Sequence, residues 1–309
     1  VLDDHRFRCY AFAASSRLGR MRADRLCRKQ PAWPDARGSH SFRNMQLDGS
    51  TALLTGATGG LGQAIAQALG AAGARVLLSG RRAELLEEVR GRLGDGAASL
   101  PADLADRGAA EDLAARAGAV DVLVANAGLP GSGRLDGFTP EEIDRALDVN
   151  LRAPMQLTRA LLPGMLERGR GHLVYVSSLS GKVASSGSSV YSATKFGLRG
   201  FAAGLREDLH LGNVGVTVVF PGFVSDAGMF ADSGARLPRW VGTVTPDQVA
   251  EAVVRGVERE RAEVDVAPLS LRAGTFAGTL APVTVARVQR KLGSDRIARK
   301  IAEGQRPKR

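Results

Sequence analysis

From Leu47 onward, short apolar runs alternate with longer stretches in which apolar residues return every three or four positions: STALLT, LGQAIAQALGAAG, RVLLS, AELLEEVRGRLG, AASL, RGAAEDLAARAG and DVLVA. No other feature of the chain narrows the fold as far. Uninterrupted apolar runs are strands buried on both faces, and the amphipathic helices between them are the crossovers that parallel strands require. The rhythm continues through a helical stretch from Pro140 toward Leu166, a strand in HLVYVS, a helix carrying Tyr191 and Lys195, and a strand in GVTVVF. A helix from Pro246 to about Arg261 and a strand in AEVDVAP complete it. The expected fold is α/β, a doubly wound Rossmann-type domain on a seven-stranded parallel sheet, with a C-terminal helical tail.

The formal net charge of +10 would suggest nucleic acid or an acidic surface if it lay in one patch. It lies instead at the two ends: residues 1–44 contribute +6 and residues 287–309 contribute +7, which leaves residues 45–286 at −3. A mildly acidic body argues against nucleic acid as a partner. Both cysteines, Cys9 and Cys27, fall in the first 44 residues, so the body has neither a disulfide nor a thiolate metal site, as suits a reducing, cytoplasmic setting. No apolar run reaches the length of a membrane span, and CYAFAAS is too short and too soon followed by arginines for a signal peptide.

These patterns divide the chain into three parts. Residues 1–44 have no sustained period, little aliphatic content and many arginines, and are expected to be a disordered or spurious extension ahead of a natural start at Met45. A targeting peptide is the functional competitor, and Asp3, Asp4, Asp24 and Asp35 count against it. Residues 45–268 are the expected domain. Residues 269–309 read as one or two basic amphipathic helices, either packed over the domain with a solvated face or resting on an anionic membrane surface.

Within the helical segment SSVYSATKFGLRG, Tyr191 and Lys195 are four apart and so share one face. A free phenol, with a pKa of about 10, exchanges protons poorly near neutral pH, and a neighbouring cation lowers that value. The pair alone is common by chance. Its context is not: TGATGGLG, Thr55 to Gly62, follows the first strand and opens a helix, where glycines let backbone N–H groups approach a pyrophosphate. Further on stand NAG (Asn126 to Gly128), DVN ending at Asn150, and VSS ending at Ser178, thirteen residues before Tyr191.

With these motifs in this order and spacing, the chain resembles the short-chain dehydrogenase/reductase family over about residues 45–268. The resemblance implies that Tyr191 is the general acid in carbonyl reduction and the base in the reverse direction. It implies that Lys195 lowers the phenol's pKa and binds the nicotinamide ribose, that Ser178 hydrogen-bonds the substrate oxygen, and that Asn150 holds a water linking Lys195 to solvent. Gly56, Thr58, Gly60, Leu61 and Gly62 would cradle the cofactor, Asn126 and Gly128 would flank it, and Asp103 and Leu104 would contact adenine. Asp103 could equally be a helix-start cap. Pro221 and Gly222 would face the nicotinamide, with Val224 beside them; many relatives have Thr near here to bind the carboxamide, and Ser225 is the available substitute.

Cofactor choice is expected at the end of the second strand, where an NAD site carries a carboxylate for the ribose 2′-OH. This chain has Gly80, then Arg81 and Arg82, and a guanidinium fork suits a 2′-phosphate. NADP(H) is therefore the expected cofactor, with Arg81 the preferred contact. No metal is expected. Met229, Phe230, Leu237 and Trp240 follow in a loop rich in small and polar residues, which either closes an apolar pocket over substrate or anchors itself to the domain. The expected function is an NADP(H)-dependent oxidoreductase interconverting a ketone or aldehyde and an alcohol on a largely apolar small molecule. The competing reading is a non-catalytic NADP-binding redox sensor or scaffold, and relatives of that kind typically lose the Tyr or Lys that this chain keeps. The resemblance also implies a homodimer or homotetramer, paired through the helices around Asn150 and Tyr191.

Overall fold

Parallel strands buried on both faces send successive side chains to opposite layers, and β1 (Thr51–Thr55) does this from its first residues. Ala52 and Leu54 enter one apolar layer. Leu53, between them, enters the other. The computed structural model describes residues 45–238 and 241–308. Expectations for residues 1–44, and for Trp240, fall outside them.

β2 (Arg75–Gly80), β3 (Ala97–Pro101), β4 (Val122–Ala125), β5 (Gly171–Val176), β6 (Val214–Pro221) and β7 (Glu263–Val266) join β1 in one parallel sheet of order β3-β2-β1-β4-β5-β6-β7. All seven expected strands are present. Val76 and Leu78 of β2, and Val122 and Val124 of β4, repeat the alternation of β1 into the first layer. That layer is completed by α1 (Gly60–Ala71), α2 (Ala83–Leu93) and α8 (Pro246–Glu258) through Ile65, Leu69, Leu86, Val249 and Val253. The opposite layer holds Leu113 of α3 (Ala109–Ala117), Leu157 and Met165 of α5 (Ala153–Arg168), and Leu198 and Leu205 of α6 (Ser189–Asp208). Met45 and Leu47 are buried in the first layer.

The helical stretch expected from Pro140 is in three pieces. α4 (Pro140–Leu147) starts from a capping box in which Thr139 and Glu142 satisfy each other's backbone N–H groups. It then widens into one π-helical turn, Asp148–Arg152, before α5 begins at Ala153. A π-turn inserts an extra residue into the helix and changes which side chain faces inward, and here it buries Asn150.

β1 and β4 are neighbours although β2 and β3 lie between them in sequence, so the connections leave in opposite directions from this point. Doubly wound sheets bind ligands in the crevice this reversal leaves beyond the carboxyl ends of the strands. The glycine turn after β1 and Asn126 after β4 both sit there.

After a short helix α7 (Gly228–Ala231), the tail contains three helices rather than the one or two expected: α9 (Leu269–Leu280), α10 (Pro282–Lys291) and α11 (Ser294–Gln305). The breaks have local causes. Pro282 has no N–H to continue α9 and occupies the first turn of α10. Gly293 separates α10 from α11 with φ +85, a left-handed conformation that favours glycine.

Candidate active site

The glycine turn is shaped by backbone contact. Gly56 has φ +68, and a Cβ there would lie 2.8 Å from Cα of Ala127. A Cβ on Gly62 would collide with the carbonyl of Gly56. Thr55 and Asn126 lock the two strand ends together: Thr55 Oγ1 accepts from the N–H groups of Asn126 (3.1 Å) and Ala127 (3.0 Å). The Asn126 amide donates to the carbonyls of Thr55 (3.1 Å) and Gly56 (3.3 Å). Asn126 therefore holds the turn's shape, and Thr55 is a partner that the motif reading missed. α1 begins from Gly59 with no side chain capping it, so its first N–H groups face the crevice at the positive end of the helix dipole.

At the far end of the crevice, Arg82 Nη2 lies 3.4 Å from Thr58 Oγ1, and Arg81 Nη1 lies 3.9 Å from Asp103 Oδ2. Arg145 also approaches Asp103 at 3.9 Å, a neighbour that the sequence pattern did not suggest. A Cβ on Gly80 would face Thr58 Oγ1 at 3.4 Å. No carboxylate comes from the Gly80 position, and two guanidinium groups flank it. Glycines that admit no Cβ, a helix start with free donors and paired arginines together fit a dinucleotide carrying a 2′-phosphate. Of the two roles open to Asp103, the side chain performs a capping one: Oδ1 accepts from Ala105 N at 3.1 Å. It caps a turn and not the helix, which starts only at Ala109. Leu104 turns its side chain into the core and offers the crevice only its backbone.

α6 carries Tyr191 and Lys195 in its first two turns. Lys195 is 3% exposed, and its Nζ donates to the carbonyl of Val176 at 3.0 Å. Burial pulls its pKa down to about 8. Tyr191 is half-buried, and its phenol is pushed up to about 12 by burial, which outweighs the lowering effect of a hydrogen bond with Ser178. The expected lowering of the phenol by Lys195 does not prevail here. The ammonium stands 5.6 Å from the ring centre and is engaged with Val176, while desolvation acts on the phenolate directly. Ser178 also accepts from Ser180 N at 3.1 Å, which fixes its orientation. Ser177, the neighbouring hydroxyl, is occupied with the carbonyl of Lys195 at 3.2 Å.

Asn150 is 1% exposed and uses its amide on the protein. Oδ1 accepts from Leu129 N at 2.6 Å, and Nδ2 donates to Leu129 O at 2.9 Å and to Thr194 Oγ1 at 3.3 Å. Thus it ties the segment after β4 to α6. A Cβ on Gly128 would lie 3.4 Å from Asn150 Oδ1 and 3.7 Å from Lys195 Nζ, in ordinary contact with both groups.

Beyond β6, Pro221 ends the strand and Gly222 N donates to Val266 O at 2.9 Å. Val224 bridges to Val244, and the Ser225 hydroxyl donates to the Val244 carbonyl at 3.3 Å, which directs it away from the carboxamide role open to it in the sequence. Of the two roles open to the loop that follows, the contacts show the anchoring one. Phe230 packs on Phe223 with ring centres 4.9 Å apart, an anchor. Met229 reaches over the site, its Cε 3.3 Å from where a Gly128 Cβ would be, and Leu237 is half-buried. The loop is held from the tail: Gln305 Nε2 donates to Met229 O at 3.0 Å, and Lys308 pairs with Asp232 at 2.6 Å. Gln305 carried no sequence signal, since a buried glutamine on a basic helix looks like one more solvated polar residue.

The family model for short chain dehydrogenase matches residues 50–238. The chain belongs to the short-chain dehydrogenase/reductase family. Among similar members, the ketoacyl reductase HetN of Nostoc sp. is 36% identical over 269 residues, covering 83% of this chain and 94% of the relative. The NADP-dependent 3-hydroxy acid dehydrogenase YdfG of Escherichia coli is 37% identical over 213 residues, 65% of this chain and 86% of the relative. A solved metagenomic short-chain oxidoreductase in complex with NADP aligns at TM-score 0.62 with 36% identity, covering 72% of this chain and 99% of that one. Serine dehydrogenase from Escherichia coli aligns at TM-score 0.62 with 33% identity, covering 71% and 98%. The family match ends at residue 238, before α8 and all three tail helices.

Proposed function

We propose that this short-chain dehydrogenase/reductase interconverts a ketone or aldehyde and the corresponding alcohol with NADP(H), on a small molecule with a sizeable apolar part. The observation that carries the reading is the convergence of Ser178, Tyr191 and Lys195 at the mouth of the crevice, with the Lys195 ammonium 5.6 Å from the Tyr191 ring centre. NADPH, when bound, supplies the hydride. The Tyr191 phenol gives its proton to the carbonyl oxygen as negative charge develops there, and even a phenol near 12 is acidic enough to protonate an alkoxide. Ser178 donates to the same oxygen from a fixed position, a preorganised stabilisation. Lys195, released from Val176, supplies a cation on the phenol's side and a hydrogen bond toward the ribose. Asn150 positions Lys195 and Gly128 through Leu129 and Thr194.

Gly56, Thr58, Gly60, Leu61 and Gly62 hold the pyrophosphate, Arg81 and Arg82 the 2′-phosphate, Asp103 and the Leu104 backbone the adenine side, and Pro221, Gly222 and Val224 the nicotinamide side. Residues 45–268 are the catalytic unit. The apolar character of the substrate rests on Met229, whose Cε lies near Gly128, and on the loop that carries it with Phe230 and Leu237. Exposed Leu147, Met155, Leu166 and Phe196 on α4 to α6 support pairing of two copies around Asn150 and Tyr191. A cytoplasmic setting agrees with there being no helix long and apolar enough to cross a membrane among the described residues.

The test is NADPH oxidation against a panel of ketones, aldehydes and keto acids of increasing apolar length. Turnover that rises with apolar length supports the reading. Tight NADPH binding without turnover on any substrate would instead identify a non-catalytic redox module.

A further inference from the structure

A helix packed on a domain in water places its apolar stripe inward. α9 does the reverse as well. Its inward side is held by a glycine and a leucine: a Cβ on Gly278 would lie 2.7 Å from Val183 Cγ2, and Leu271 Cδ1 approaches the Gly222 position at 3.5 Å. Its outward side carries Leu269, Phe276 and Leu280, which are 78%, 69% and 72% exposed, with Ala273 between them at helical spacing. Across the break, Val283 and Val288 of α10 and then Leu292 continue the exposed apolar surface. Of the eleven exposed large apolar side chains among the described residues, six lie between Leu269 and Leu292. Four of the remaining five lie on α4 to α6, the separate face assigned above to pairing.

The charge on this surface has one sign. Residues 267–294 contain no Asp or Glu, whereas Arg272, Arg287, Arg290 and Lys291 are all exposed. Arg272 sits within the α9 stripe itself. α11 extends the basic rim with Arg296, Arg299 and Lys300. Two-fold pairing of this face would set the arginines of one copy against those of the other, since an isologous interface meets its own patch. Apolar side chains rimmed by arginines and free of carboxylates match an acyl layer under anionic headgroups. α9 also packs by its inner side against the turn at Gly222, so the apolar face and the active-site crevice lie on opposite sides of one helix.

We propose that the outward face of α9 and α10 is a docking surface for an anionic lipid membrane, holding the enzyme at the interface where apolar carbonyl compounds partition. The inference does not depend on the catalytic reading, because it is read from binding alone.

The experiment is co-sedimentation of the full chain with vesicles of phosphatidylcholine, or of phosphatidylcholine mixed with phosphatidylserine, at low and high salt. The wild-type chain is expected to bind the phosphatidylserine vesicles and to be weakened by salt. Phe276→Ser with Leu280→Ser should reduce the bound fraction at least about tenfold, as expected when apolar area that drives interfacial binding is removed. Arg287→Glu with Arg290→Glu should do the same by a change of charge alone, with the melting temperature of both variants unchanged because the altered side chains are exposed. Absence of wild-type binding to the anionic vesicles, or binding by both variants equal to that of the wild type, overturns the proposal. So does a serine variant whose mass by sedimentation velocity falls to a smaller oligomer while vesicle binding is absent throughout, which would assign the face to a second copy.

Discussion

Lys195 Nζ stands 5.6 Å from the centre of the Tyr191 ring and gives its hydrogen bond to the carbonyl of Val176, not to the phenol. Burial thus moves the two groups apart: the phenol goes up to about 12 and the ammonium down to about 8. In this arrangement the lysine is the group that titrates near working pH. Carbonyl reduction, measured as kcat/KM with NADPH, should therefore decline as pH rises through about 8 and the cation is lost. Tyr191→Phe should lower kcat by roughly 10²–10⁴-fold with little change in NADPH affinity, as loss of a general acid does. Wild-type turnover in that variant would remove Tyr191 from the mechanism.

Lys195 also makes a stability prediction whose sign is fixed. An unfolded lysine titrates at its model value of 10.5 and the folded one at about 8, so between these values the unfolded chain holds a proton that the folded chain lacks. Stability then rises with pH across that window, because the cost of burying the ammonium is full below pH 8 and gone above 10.5. At 1.36 kcal/mol per pKa unit the pH-dependent part is roughly 3 kcal/mol. Melting curves of wild type and Lys195→Met should converge in the direction of the wild type as pH is raised from 7 toward 10. A difference that does not change with pH would show that the lysine is charged throughout.

Arg81 should carry much of the preference for NADP over NAD. Losing a charge-assisted contact to phosphate costs about 1.5–3 kcal/mol, or roughly ten- to a hundredfold in affinity. In Arg81→Ala, NADPH binding should weaken by that factor and NADH binding should stay as it was, measured by fluorescence titration. Because Arg82 already reaches Thr58 at 3.4 Å, unchanged NADPH affinity would transfer the role to Arg82.

Gln305 ties the Met229 loop to α11 by one hydrogen bond, and its Oε1 is buried without a hydrogen-bond partner. A net contribution of about 0.5–1.5 kcal/mol corresponds to a factor of roughly two to twelve. Gln305→Ala should raise KM for the carbonyl substrate by that factor and leave kcat largely intact, as the proposed roles of the loop in positioning substrate and of Tyr191 in moving the proton require. An equal loss in kcat with KM unchanged would place the tether in the chemical step instead.

The sheet was legible because each strand is an uninterrupted apolar run and each crossover a helical period, signals that short windows contain in full. Ser178, Tyr191 and Lys195 were legible for a related reason: their spacing lies within one strand-turn-helix unit. The π-turn at Asn150 was not, because the extra residue leaves composition and periodicity almost unaltered. Nor were the Asn126–Thr55 lock or the Gln305–Met229 tether, which join residues 71 and 76 apart with no shared period. The balance of pKa shifts was misjudged from sequence because a cation four residues away is visible in the text, whereas desolvation depends on what the rest of the chain packs around the phenol.

The separation between Met229 and Gln305 gives the protein an order of assembly. Chains emerge from the ribosome N-terminal end first, so Ser178, Tyr191, Lys195 and the loop at Met229 are all synthesised before the residue that fastens that loop. A nascent chain thus holds these residues before it holds the glutamine that tethers the loop over Gly60 and Gly128.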